Sequence, residues 1–145
     1  MRILLVSLCL VTAACGGKSS PTPAAPDTRT LFERLGGQPA INAVVHEFVL
    51  ATKADDRINQ FFTNVDAVKL EQAMDDHVCS ITGGGCEYKG KSMLVSHTGM
   101  KLSDAHFAAF MDDLAKVLAK LKVPERETKE VLGAFDSLKS EVVGH

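Results

Sequence analysis

Cys79 and Cys86 are the side chains of this 145-residue sequence whose spacing most directly suggests chemistry. They stand seven positions apart, and the three glycines at 83–85 would let the chain bend enough to bring the two sulfurs together. An even pair of cysteines is typical of a disulfide where a protein is exported to an oxidising compartment, for which the N-terminus gives evidence below. A zinc or redox site is the weaker interpretation, because the spacing is not CxxC.

The N-terminal segment predicts export. Residues 1–14 combine Arg2 with an apolar stretch at 3–11, which suits a secretory signal and is too short for a membrane-spanning helix. The small residues 12–14 before Cys15 resemble the lipobox of bacterial lipoproteins, in which the signal is cut before a cysteine that becomes lipidated. Residues 15–29 then form a flexible tether, since they include three prolines and no large apolar residue.

This reading predicts a lipid-anchored protein on the periplasmic side of a bacterial cell envelope. The proposed membrane contact is made only through the lipidated Cys15. Gly16 follows it, in place of the aspartate associated with inner-membrane retention, which favours the outer membrane.

The remaining residues, 30–145, predict a single all-α domain. Apolar side chains recur at helical spacing over residues 40–53, over residues 67–82, and from the helix cap at Ser103 to Leu121. A last helix follows Pro124 and is expected to bury Leu138 and Val142. Short helical pieces are expected at 31–35 and 91–96. No segment alternates like a strand.

Composition excludes two classes of protein. The chain is 46% hydrophobic and 23% charged, which rules out global disorder. Its formal net charge of -2 gives no sign of the basic surface that a nucleic-acid binder presents.

Four segments resemble, in order and spacing, the group I truncated haemoglobins. They are TLFERLGG at 30–37, followed by PAI at 39–41; ADDRI at 54–58, followed by FF at 61–62; the glycines at 83–84, followed by YKG at 88–90; and HTGMKLSDAHF at 97–107. The resemblance covers residues 30–145 and implies a truncated, two-over-two helical globin sandwich around haem b.

The resemblance also assigns haem-binding positions. His97 matches the proximal histidine, whose neutral imidazole is a good axial ligand for haem iron. Phe62 matches a phenylalanine that packs on the haem face. The other positions that line the haem cavity in relatives are Phe61, Val78, Tyr88, Met93, Phe107 and Phe110. Each of these would also suit the core of a helical bundle without a cofactor.

The distal side departs from the family. Relatives place a tyrosine and a glutamine beside the gas ligand, where this sequence has Val49 and Met74, with Leu70 at the position between them. None of these three side chains donates a conventional hydrogen bond. We therefore expect faster oxygen loss and easier autoxidation than in relatives that carry the tyrosine.

Two residues leave alternatives open. Met74 could be a sixth iron ligand, although an adaptable core side chain is the preferred interpretation. His77, one turn further on, could donate a hydrogen bond, bind iron or pair with a haem propionate, or lie at the solvent edge. His46, His106 and His145 are assigned no functional role.

Three functions follow from these assignments. The first is reversible binding of a diatomic gas, oxygen or nitric oxide; nitric oxide dioxygenation would additionally need a reductase. The second is an envelope electron-transfer protein with Met74 or His77 as sixth ligand. The third is a non-haem helical lipoprotein, in which His77, Cys79, Cys86 and His97 bind zinc or the two cysteines are bridged.

Overall fold

A computed structural model describes residues 27–145; the predicted signal, Cys15 and most of the predicted tether lie outside them. The all-α prediction is confirmed, with no strand in the described part of the chain. Its elements are α1 Leu31–Leu35, α2 Gln38–Ala54, a 3₁₀ turn Asn59–Phe61, α3 Ala67–Ile81, α4 Met93–His97, α5 Asp104–Lys120, α6 Glu125–Asp136 and α7 Lys139–Val142. None of the helices within residues 27–145 has the length and apolar character that crossing a bilayer requires.

Polar side chains fix where the helices begin. The Thr30 hydroxyl accepts from the Glu33 backbone N–H, and the Glu33 carboxylate accepts from the Thr30 N–H at 2.8 Å, which makes a capping box at α1. Asp66 caps α3. Ser103 caps α5, as predicted, and the Ser103 N–H donates back to His106 Nδ1. These bonds satisfy N–H groups that the first turn of a helix leaves unpaired.

The core lies between two helix pairs. Helix α2 packs on α3, α5 packs on α6, and α2 also packs on α5, which joins the pairs into a sandwich. The buried side chains that fill it come from all four long helices: Ile41, Val45, Phe48, Val49, Val78, Leu114, Val117, Leu118, Val131 and Phe135. Their helical spacing is the pattern from which the four helices were predicted.

The last helix is not continuous, so this part of the prediction was wrong. Helix α6 ends at Asp136, the Leu138 N–H donates to the Phe135 carbonyl three residues back, and the chain resumes as α7. Leu138 and Val142 are half-buried rather than buried. The change of direction lets α7 pack against α4. The helical periodicity of this segment does not predict that contact.

A tight reversal ends α5. The Val123 N–H donates to the Leu118 carbonyl, and the Lys122 N–H donates to the Ala119 carbonyl, the bond pattern of a Schellman motif. Lys122 takes a positive φ of 57° at the position that glycine usually occupies. The reversal folds Val123 back against the core.

Candidate functional site

His97 lies at the end of α4, with its side chain half-buried. Its Nδ1 is 2.7 Å from the Met93 carbonyl oxygen. A carbonyl oxygen only accepts, so Nδ1 carries the hydrogen and donates it, and the neutral ring keeps its lone pair on Nε2. Histidines that bind metals are commonly oriented in this way by a backbone carbonyl. This hydrogen bond therefore leaves Nε2 as the nitrogen of His97 that could bind a metal.

Helix α4 owes its placement to its caps and to the C-terminus. The Ser92 hydroxyl accepts from the Val95 N–H where the helix begins. After it, Gly99 adopts a φ of 87°, which glycine reaches without strain and which turns the chain towards α5. The Lys101 N–H then donates to the His145 carbonyl at 2.8 Å. The segment that carries His97 is thus tied to the end of the chain.

The distal positions form an apolar surface. Leu70, Met74 and Val78 follow one another at intervals of four on α3 and therefore share one face of that helix. Leu70 and Met74 are half-buried and pack against the core, to which Val49 of α2 and Val78 belong. Val49 is 1% exposed. No side chain among these four can donate a conventional hydrogen bond.

Aromatic rings extend this surface along α5. The ring of Phe110 meets Phe48 edge to face, with centroids 4.7 Å apart, and stacks on Phe107 at 6.2 Å. The Phe61 ring contacts His106 instead, at 4.9 Å. Phe62, at the end of the 3₁₀ turn, is half-buried.

The ring of His77 contacts the ring of Tyr88. Their ring centroids are 4.9 Å apart, and the Tyr88 hydroxyl donates to the Lys91 carbonyl at 3.0 Å. Burial lowers the pKa of His77, so the neutral ring is favoured. Its Nε2 is buried and has no hydrogen-bond partner in the described part of the chain. An orphaned buried nitrogen of this kind could serve a bound group.

The structure joins Cys79 and Cys86 by a disulfide. Cys79 is fully buried at the end of α3, and Cys86 lies in the loop that leads to Tyr88. A Cβ on Gly84 would fall 2.5 Å from Cys79 Sγ and 2.6 Å from the Phe32 ring, so only glycine fits inside the closed ring. The disulfide thus connects the helix of the apolar surface to the segment that packs on His77.

The zinc alternative is not supported. Its four residues do not converge, because among residues 27–145 no three His, Cys, Asp or Glu side chains are grouped so that they could hold a metal ion. The two cysteines are bonded to each other, which removes both thiolates as ligands.

A cavity that the sequence did not reveal lies among α2, α3, α5 and α6. Its volume is about 270 Å³, and Met74 and Val78 lie in its wall, whereas His97, Phe62 and Tyr88 do not. Helical periodicity shows which side chains face inward but not whether they fill the space. The nearest signal in the sequence is the run of valines and alanines at 43–45, whose small side chains leave room.

The residues present fit a haem. An imidazole with its Nε2 lone pair available supplies an axial ligand, and apolar and aromatic side chains suit the faces of a porphyrin. The orphaned His77 Nε2 is a polar group that a bound cofactor or ligand could satisfy. His97 and His77 both belong to the haem-binding residues predicted from the sequence, and their roles stay predictions.

Known proteins resemble the chain over this whole domain. Residues 30–143 match the family described as bacterial-like globin. The Group 1 truncated hemoglobin of Tetrahymena thermophila is 34% identical over 115 residues, which cover 79% of this chain and 95% of the relative. That of Synechocystis sp. is 34% identical over 106 residues, covering 70% of this chain and 86% of the relative.

Solved structures agree. The truncated hemoglobin from Tetrahymena pyriformis, in its Fe(III) form, matches with a TM-score of 0.78 and 32% identity, over 81% of this chain and 100% of its own. The 2/2 hemoglobin from Synechococcus sp. PCC 7002, solved in the cyanomet state with covalently attached heme, matches with a TM-score of 0.73 and 32% identity, over 78% of this chain and 95% of its own. These matches confirm the predicted two-over-two fold, and the chain belongs to the bacterial-like globin family as a group 1 truncated haemoglobin, a haem globin.

Proposed function

We propose that this protein reversibly binds a diatomic gas, oxygen or nitric oxide, at the iron of haem b, with His97 as the proximal ligand. The hydrogen bond from His97 Nδ1 to the Met93 carbonyl carries the proposal, because it leaves Nε2 as the free nitrogen. When bound, the haem would supply an iron that can take a small gaseous ligand.

The side chains around that position would shape the choice of gas. Val49, Leu70 and Met74 are apolar and donate no hydrogen bond. Oxygen acquires partial negative charge on binding, and a hydrogen bond to a charged group is worth about 1.5–3 kcal/mol. Its absence would weaken oxygen binding roughly tenfold to hundredfold relative to a pocket with a donor. Nitric oxide depends less on such a donor, so its scavenging or sensing suits this pocket equally; dioxygenation would require a separate reductase.

The test is haem uptake and the visible spectrum of the purified protein, compared with His97→Ala. We expect stoichiometric haem and a five-coordinate ferrous spectrum in the wild type, and loss or alteration of both in His97→Ala. His46→Ala is the matched control, because that histidine is exposed on α2 and pairs with Glu71 on the surface. Wild-type protein that takes up no haem, or a His97→Ala spectrum identical to that of the wild type, would refute the proposal.

The orphaned nitrogen of His77 favours one second candidate. A half-buried, neutral imidazole on the helix that carries Met74 could provide a sixth ligand, which would suit electron transfer rather than gas binding. A ferrous protein with sharp low-spin bands before any gas is added would indicate six-coordination. If those bands disappear in His77→Leu but not in Met74→Leu, the ligand is His77; the reverse result assigns Met74.

We also propose that the protein is anchored in the bacterial cell envelope through lipidated Cys15. The disulfide between Cys79 and Cys86 supports this location, because such bonds persist in oxidising compartments. Mass spectrometry of the intact protein from membranes should show cleavage before Cys15 and added acyl chains. Cys15→Ser should release the protein from the membrane fraction, and an unmodified Cys15 would contradict the anchor.

A further inference from the structure

The cavity among α2, α3, α5 and α6 combines an apolar interior with one charged group. Every residue of its wall is apolar except Lys122, which lies at the reversal between α5 and α6. Neighbouring lysines are neutralised: Lys120 pairs with Glu47 and Lys129 with Glu125, both at 2.6 Å. Lys122 makes no ion pair with any residue that the structure describes, so its ammonium group is available to an external anion.

The reversal that ends α5 builds this arrangement. Val123 folds back towards Leu118, and both side chains form part of the cavity wall. Lys122 stands between the two ends of that reversal, on the solvent side, with its φ of 57°. The same hydrogen bonds that close the wall therefore place a cation beside the cavity.

We propose that this cavity binds a medium-chain aliphatic monocarboxylate, with the chain inside and the carboxylate on Lys122. An apolar cavity of about 150 Å³ accommodates benzene, with six carbons, so about 270 Å³ has room for roughly ten. A lysine can hold the carboxylate in water at the entrance, where the charge need not be buried. An uncharged lipid would leave Lys122 unused, and a dicarboxylate would place a second charge among apolar side chains.

The first test is chain length, measured by calorimetry or ligand-observed NMR on the purified haem-loaded protein. Each buried methylene should raise the affinity about fourfold, so affinity should increase from hexanoate to octanoate to decanoate. Beyond about ten carbons the gain should stop, because the cavity is full. Absence of saturable binding, or affinity that continues to rise through tetradecanoate as for any apolar surface, would overturn the proposal.

The second test separates the charge from the cavity. Lys122→Gln should weaken decanoate binding severalfold, as expected for an exposed ion pair, and leave 1-decanol binding unchanged. Lys53→Gln is the matched control, since it removes the same charge from an exposed position outside the cavity wall. Equal losses of decanoate binding in both variants would mean that only the net charge matters, and would refute the role of Lys122.

The third test changes the volume of the cavity at Val44, a half-buried residue of its wall. Val44→Phe should shorten the optimal chain, and Val44→Ala should lengthen it. Circular dichroism checks that each variant is folded. If only one of them folds, its shift in optimal chain length is enough to test the proposal. An unchanged optimum in folded Val44→Ala would place the ligand elsewhere. Because Met74 lies in the same wall, an occupant would also alter gas-binding kinetics, a consequence that alone rests on the proposed function.

Discussion

Opening the disulfide between Cys79 and Cys86 should destabilise the domain by about 2.5 kcal/mol. The bond joins residues at a sequence separation of seven, so it closes a small ring. The chain-entropy relation for a ring of about eight residues gives roughly 8 cal/mol/K, which is about 2.5 kcal/mol at 25 °C. For a domain of this size, that loss corresponds to a decrease of roughly 10 °C in Tm.

Packing around the loop closed by the disulfide also affects the change in the free energy of unfolding. Cys79 is fully buried, and Gly84, within the loop closed by the disulfide, lies against the aromatic ring of Phe32. Opening the bond frees this contact as well as the loop, which adds to the entropic loss. Any residual order of the same loop in the unfolded chain would reduce it.

The assay is urea unfolding followed by far-UV circular dichroism, on oxidised protein, reduced protein and Cys79→Ala/Cys86→Ala. Alanine is preferred to serine at position 79, because a hydroxyl buried there would need a partner. Reduced wild type and the double variant should both unfold at a lower urea concentration than the oxidised protein. The double variant should not respond to reductant, which controls for other effects of the reagent. Oxidised and reduced proteins that differ by less than about 0.5 kcal/mol would refute the reasoning.

Three further substitutions test other features. Val49→Tyr should slow oxygen release about tenfold or more in stopped-flow measurements by supplying a donor, whereas an unchanged rate would mean that another donor already acts. Burial raises the pKa of Asp113, so its ionisation destabilises the fold as pH rises above 3.8. Asp113→Asn should therefore be more stable than wild type in urea at pH 7, and the difference should disappear below pH 3.8. Arg34→Met should lower the Tm more than the exposed Arg126→Met, because it leaves the buried Glu127 without its partner; equal decreases would contradict this.

The long helices could be predicted from the sequence because their apolar faces and end signals are local. The predicted ranges 40–53 and 67–82 differ from Gln38–Ala54 and Ala67–Ile81 by no more than two residues at either end. Ser103 was recognised as a cap because its hydroxyl and the first-turn residues that follow are adjacent in the chain. The break after Asp136 was missed, since neither proline nor glycine marks it. The segment after the break packs on α4, which is distant in the sequence.

The candidate site could be predicted only in part. His97 was identified by resemblance. The orientation of its ring depends on a hydrogen bond to the Met93 carbonyl, and the two groups come within bonding distance only when α4 has formed. The contact of His77 with Tyr88 crosses a loop whose path is set by the disulfide. The cavity and the position of Lys122 depend on how α2, α3, α5 and α6 pack together with the reversal after α5. No local pattern in the sequence specifies that packing.

The Tyr88 contact gives the protein an intrinsic optical probe. The chain has one tyrosine and no tryptophan, so its ultraviolet emission comes from this single phenol. That phenol lies against His77 and two residues after Cys86, so its emission reports on one loop and not on the domain as a whole. Opening of the disulfide, rearrangement around His77 and energy transfer to a bound porphyrin can therefore each be followed without labelling the protein.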